Sequence, residues 1–157
     1  MQNSINKIRQ VRLFILRQLD GLSNEQLNRI PEGFNNNIIW NIAHLICAGQ
    51  GLSYLRSGLP ATVDQKYIVP FRTGTKPEGI IADAETDTIK ELFINSIDDM
   101  ERDYNNSIFQ QQTYTPSEGI QKGYGITLSN IDDALDFLLY HEGLHSGQIL
   151  ALKRLVV

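Results

Sequence analysis

The sequence predicts an all-α protein, a four-helix bundle with long helix 2–3 and helix 3–4 connections. Three observations carry this. Apolar residues recur at a spacing near 3.6 in four separate segments. Glycine and proline interrupt the chain between those segments. No segment shows the period-two alternation of a strand. A chain of 157 residues suits one domain, residues 1–157, with a sizeable core.

The first helix reads over residues 4–20. Ile5, Ile8, Val11, Ile15 and Leu19 share one face, with Arg9, Arg17 and Gln18 off it. Gly21 stops it. Ser23 then opens a short turn, with Gln26 completing a capping box in S-N-E-Q. Pro31 and Gly33 break the chain again. The run Asn35 to Asn37 offers a cap for the second helix, 37–57, NIIWNIAHLICAGQGLSYLRS. Gly58 and Pro60 end it. Residues 58–86 hold three prolines and no sustained period, and a connection that long is functional or wraps along the bundle.

The third helix covers residues 86–106, with Ile89, Leu92, Phe93, Ile97 and Met100 as its apolar stripe. Residues 107–128 return to loop character, with Pro116, Gly119, Gly123 and Gly125. The fourth helix starts at Ser129 or Asn130 and runs nearly to the end. Asp132 and Asp133 suit its positive N-terminus, and Lys153 and Arg154 its negative C-terminus. Each long connection can run the length of a helix, so parallel neighbours through a crossover are open as well as antiparallel ones. TGTKPEG and EGIQKGYG lack G-x-x-x-x-G-K-[ST] and a preceding strand, and read as turns.

A hydrophobic content of 41% and a charged content of 20% place the chain among soluble globular proteins. A net charge of −4 and the absence of a basic patch argue against nucleic acid and anionic membrane as partners. Cys47 is the only cysteine, so an intrachain disulfide is impossible. No apolar segment approaches the ~20 residues that span a bilayer. The N-terminus has no apolar run behind its charges, unlike a signal peptide. A reducing, cytoplasmic setting is expected.

The motif richest in chemistry is HEGLH, His141 to His145, which fits H-E-x-x-H. On a helix the two histidines sit about 40° apart, one turn above another, and can bite one metal ion. Glu142 lies about 60° round from His145, at the edge of that face. A zinc protease needs a third ligand. Gln148 and Ala151 stand where the metzincin pattern puts Gly and His, and no Asp, Glu, His or Cys follows His145. With no strand to hold an extended peptide either, a protease is not expected.

The third ligand must come from upstream, and His44, mid-helix in WNIAHLICAG, is the candidate. Ala48 and Gly51 are small and leave space beside it. If the second and fourth helices are neighbours, His44, His141 and His145 converge in a His₃ site with positions left for water or substrate. Without a metal, three buried histidines would each need separate hydrogen-bond partners. Cys47 reads as small core rather than as a ligand. Gln148 lies on the histidine face and either assists the site or packs against a neighbour. Trp40 either walls the pocket or fills the core.

W-x-x-x-H-L in NNNIIWNIAHL, the SGLP after that helix, the loop GTKPEG, and LLYHEGLHSGQIL on the last helix together resemble the DinB-like, or DinB/YfiT-like, metalloenzymes. The resemblance covers essentially the whole chain. It implies a four-helix bundle holding one divalent metal ion per chain, zinc or nickel, on a histidine triad. That triad carries onto His44, His141 and His145. Some relatives transfer low-molecular-weight thiols to electrophiles, others are hydrolases, and members are often dimers. The resemblance therefore implies a metal-dependent hydrolase or thiol S-transferase, a small-molecule substrate such as a thiol, and a homodimer.

In such an enzyme the metal acts on a coordinated water or thiol, lowering its pKa. Glu142 is then the candidate base or partner to the site, against the alternative of a solvated helix carboxylate. A non-catalytic metal- or ligand-binding stress-response bundle is the rival expectation. A metal-free bundle with three core histidines is the third.

Overall fold

Isoleucine and leucine at helical spacing draw the first helix onto the core. Ile5, Ile8, Ile15 and Leu19 are buried, each contributing about 1.5–3 kcal/mol relative to exposure. The computed structural model describes residues 2–157 and shows that helix, α1, over Gln2–Leu19. Two short segments and three long ones follow: α2 (Asn24–Asn28), α3 (Ile38–Gly49), α4 (Asp83–Asn105), α5 (Glu118–Tyr124) and α6 (Ile131–Val156). No strand occurs among the described residues. The all-α bundle stands.

The caps explain where the helices start. Ser23 and Gln26 form the capping box that opens α2, each side chain bonding the other's backbone. Asn37 Oδ1 accepts from the Trp40 amide at 2.9 Å and opens α3. Asn130 Oδ1 accepts from the Asp133 amide and opens α6.

Eleven of the twelve residues of α3 are buried, which marks it as a helix covered on every side. It packs on α4 and α6, and α1 packs on the same two, so α1 and α3 are diagonal. Bonds between helices give their directions. Ser4 meets Asp136 and Arg12 meets Glu142, so α1 and α6 are parallel. Arg9 meets Asp98 while Arg12 meets Phe93, so α1 and α4 are antiparallel. Asn36 meets Gln148 and Asn41 meets His145, so α3 and α6 are antiparallel. It follows that α3 and α4 are parallel neighbours joined by a crossover.

That crossover wraps the bundle. Val63, Tyr67, Ile68 and Phe71 are buried in the core with α3, Tyr67 and Phe71 from the two 3₁₀ turns Gln65–Tyr67 and Val69–Phe71. Its far end is pinned where Asn28 accepts from the Ile81 amide and donates to the Ile81 carbonyl.

Two expectations are corrected. The second helix is not one α-helix over 37–57. After Gly49 it widens into a π-helical turn, Gln50–Tyr54, and tightens into a 3₁₀ turn, Leu55–Ser57. Buried Gln50 turns back to Thr62, accepting from its amide at 2.7 Å and donating to its hydroxyl at 3.0 Å. π-turns cluster at functional sites, and this one borders the cavity described below. The second correction concerns EGIQKGYG, which is not a turn. Residues Glu118–Tyr124 form α5, capped by Ser117, carrying a Glu118–Lys122 ion pair one turn apart, and ended by Gly125 at φ 69°. TGTKPEG does remain outside any helix.

Candidate metal centre

His141 and His145 project from α6 one turn apart, with ring centroids separated by 4.5 Å. His44 faces them from α3, at 5.2 Å from His141 and 4.7 Å from His145. One ring nitrogen of each histidine lies within 4.8 Å of the others. The pairing of α3 with α6 that the third ligand required is therefore present.

The hydrogen bonds fix which nitrogens are free. His44 Nδ1 is 2.7 Å from the Phe71 carbonyl oxygen, which can only accept, so Nδ1 carries the proton. His145 Nδ1 is 2.8 Å from Asn41 Oδ1. Asn41 is fully buried, and its amide nitrogen is committed to the Asn37 carbonyl at 2.7 Å. Its oxygen therefore accepts, and His145 Nδ1 also carries the proton. In both rings Nε2 is left with its lone pair. Such bonds to the far nitrogen orient metal-binding histidines and raise their basicity. Buried His141 Nδ1 has no hydrogen-bond partner among the described residues.

Burial holds all three imidazoles neutral. It pushes His141 down to about 3, helped by the nearby His145, His44 and Arg12. It pushes His145 down to about 4, with His44 adding to the effect. His44 is also lowered by burial, against the opposing bond to Phe71. Neutral imidazole is the form that ligates. Two oriented lone pairs, an orphaned buried nitrogen, and nitrogen donors throughout fit a transition-metal ion, and three ligands leave a position open.

A cavity of about 930 Å³ opens in front of the triad. Trp40 and Ala48 are among the residues that line it. Trp40 stacks on His44, with centroids 4.9 Å apart and planes 7° from parallel, so it also sets that ring's tilt. Cys47 is in the wall but outside the triad's cluster of ligating atoms. Burial pushes its thiol up to about 11, against the pull of Arg72, so it is protonated at neutral pH. Gln148 is half-buried and does not line the cavity; it donates to Asn36, which does.

Glu142 is placed elsewhere. It does not line the cavity, and it is no solvated carboxylate, being 0% exposed. It accepts from Arg12 of α1 twice, at 2.6 Å from Nη2 and 2.8 Å from Nε. Burial pushes its carboxyl up, against the opposing charge of Arg12. Arg12 also donates to the Leu45 and Phe93 carbonyls and to the Ser96 hydroxyl. One guanidinium thus ties α1 to α3 beside His44, to α4, and to α6 beside His141.

Sequence reasoning missed Arg12, Asn41 and the Phe71 carbonyl. Arg12 follows Val11 on the core face of α1, and Asn41 sits between Trp40 and His44 in an otherwise apolar run. Each was a polar residue inside an apolar pattern, which is the available signal. The Phe71 carbonyl has none, since any residue supplies one.

No curated protein matches the chain. The sequence pattern that describes the DinB superfamily matches residues 8–149, which begin in α1 and include all three histidines. The chain belongs to the DinB superfamily.

Proposed function

We propose that His44, His141 and His145 hold one divalent ion, zinc or nickel, and that the protein is a metal-dependent enzyme acting on a small molecule by hydrolysis or thiol transfer. The observation that carries this is the convergence of three neutral imidazoles, two with Nδ1 already bonded, on the wall of a large cavity. A divalent ion in that position supplies Lewis acidity and lowers the pKa of a water or thiol bound to it.

The chain's own residues supply the rest. The Phe71 carbonyl and Asn41 orient two rings. Trp40 and the π-turn shape the apolar wall, and α5 covers part of the mouth through Gly119 and Ile120. The cavity's volume suits a small molecule or a thiol adduct. It does not suit an extended peptide, for which these helices offer no strand edge. Protease activity is therefore not proposed despite HEGLH. A homodimer is proposed by family analogy alone.

Elemental analysis of protein purified without a histidine tag tests the centre, followed by absorption spectroscopy of the cobalt form. About one ion per chain is expected, with a cobalt spectrum that changes when a thiol is added. Full occupancy in His44→Ala would refute the ligand assignment. A cobalt spectrum indifferent to every added thiol, and to pH, favours a closed, non-catalytic metal site instead.

A further inference from the structure

The cavity's charge differs from that of the protein around it. The chain carries a net −4, yet no carboxylate lines the cavity among the described residues. Two guanidiniums do, those of Arg56 and Arg72. Neither is engaged by a carboxylate among the described residues. Arg9, Arg12 and Arg102 are ion-paired, so these two belong to the arginines whose charge no carboxylate offsets, and they are the two that line the cavity.

Their placement is tied to the triad. Arg72 directly follows Phe71, whose carbonyl holds His44. Its charge reaches Cys47, one turn beyond His44 on α3. Arg56 follows the π-turn, in the 3₁₀ turn Leu55–Ser57. Its Nη1 donates to the Pro116 carbonyl at 2.9 Å, and its other side-chain N–H groups have no partner among the described residues. The planar fork of arginine is suited to a carboxylate or phosphate oxygen pair.

We infer that the cavity takes an anionic small molecule, its carboxylate or phosphate held by Arg56 and Arg72 while its reactive end faces the three histidines. The inference rests on the reading of the triad as the reaction centre. It narrows the substrate class from small molecules in general to acids, including thiols that carry an acid group. A protein of net negative charge would otherwise repel such ligands, and the two arginines reverse that repulsion where it matters.

Trp40 is the only tryptophan and lines the cavity, so its fluorescence reports occupancy. Zinc-loaded protein is titrated with ω-mercaptocarboxylates of increasing chain length and with the matching primary amides. The wild type is expected to bind the best acid about tenfold or more tightly than its amide, the range of one charge-assisted bidentate contact. In Arg56→Gln/Arg72→Gln that preference disappears, while zinc content stays unchanged. Arg72→Gln alone breaks no hydrogen bond seen in the fold and is expected to lose part of the preference even if the double variant is unstable. Equal binding of acid and amide by the wild type would overturn the inference, as would a preference that survives both substitutions. Zinc content and a second titration separate this from the metal assignment. Alkanoates against alkanamides, on metal-free protein, read the arginines with no thiol or metal involved. A preference there, with no zinc bound at the triad, keeps the anion site and removes the metal centre. Zinc bound with no acid preference does the reverse.

Discussion

Replacing Arg12 by alanine should be among the most damaging single changes in this protein. The side chain is 1% exposed and makes five hydrogen bonds, two of them to the fully buried Glu142. Its guanidinium also lies 4.6 Å from the centre of the Phe93 ring. Removing one partner of a buried ion pair costs about 3–5 kcal/mol, because the other charge is left uncompensated. The Phe93 and Leu45 carbonyls and Ser96 lose a donor as well, at about 1–3 kcal/mol for each that water cannot reach. A domain of ordinary stability, about 5–15 kcal/mol, can be unfolded by that sum. The assay is urea unfolding followed by circular dichroism, with the midpoint and slope fitted separately. Arg12→Lys keeps the charge and loses the fork, so it should fall between wild type and alanine. The double variant Arg12→Met/Glu142→Met removes both charges and should cost less than Arg12→Ala alone. Glu142→Gln should lower stability while leaving metal content at its wild-type level. A loss below about 1 kcal/mol in Arg12→Ala would refute the argument, as would strictly additive losses in the double variant.

Other outcomes follow from the same geometry. Any of His44→Ala, His141→Ala or His145→Ala should lose the bound ion together with the rise in melting temperature that zinc confers on the wild type. Cys47→Ser should leave metal content unchanged; a thiolate-to-cobalt band absent only from the variant would contradict this. Metal-free protein should lose stability as pH falls below about 6.5. The unfolded histidines take up protons there while His141 and His145 are held near 3 and 4, at a cost of about 1.4 kcal/mol per pH unit for each histidine kept neutral. A urea midpoint flat between pH 7 and 5 in chelator-treated protein would count against those shifts. Casein and a mixed peptide library should survive incubation with metal-loaded protein, and cleavage that persists through repurification but is absent in His44→Ala would overturn that expectation.

The long helices were legible because their apolar residues repeat, and burial follows the repeat. The stripe Ile89, Phe93, Ile97 and Met100 is buried as its spacing requires. The triad was legible for a different reason. Only three histidines exist, and a helical turn places two of them together. The π-turn was not legible, since its widening depends on where the Gln50 amide meets Thr62, twelve residues on. α5 was misread because two glycines outweighed its cap and its ion pair, both of which are present in the sequence. Arg56 and Arg72 gave no signal either. Arg56 ends the second helix and Arg72 lies in the crossover sixteen residues on, and only the fold brings them to one cavity.

The pentapeptide HEGLH shows how one motif divides between two environments. At about 100° per residue, Glu142 leaves the direction shared by His141 and His145 and points to Arg12 of α1. In a peptidase the glutamate of H-E-x-x-H must turn toward the metal's open side to handle a proton. Here Arg12 holds it in the core, bonded twice and away from the cavity. The same helix therefore offers its histidines to a ligand and anchors itself through its glutamate. The anchor matters to the site because Arg12 also bonds Leu45, the residue after His44. A single buried guanidinium thereby grips both helices that carry the triad, one residue away from a histidine on each. Sequence spacing alone made the glutamate a candidate for chemistry. Its burial and its two bonds assign it to positioning instead.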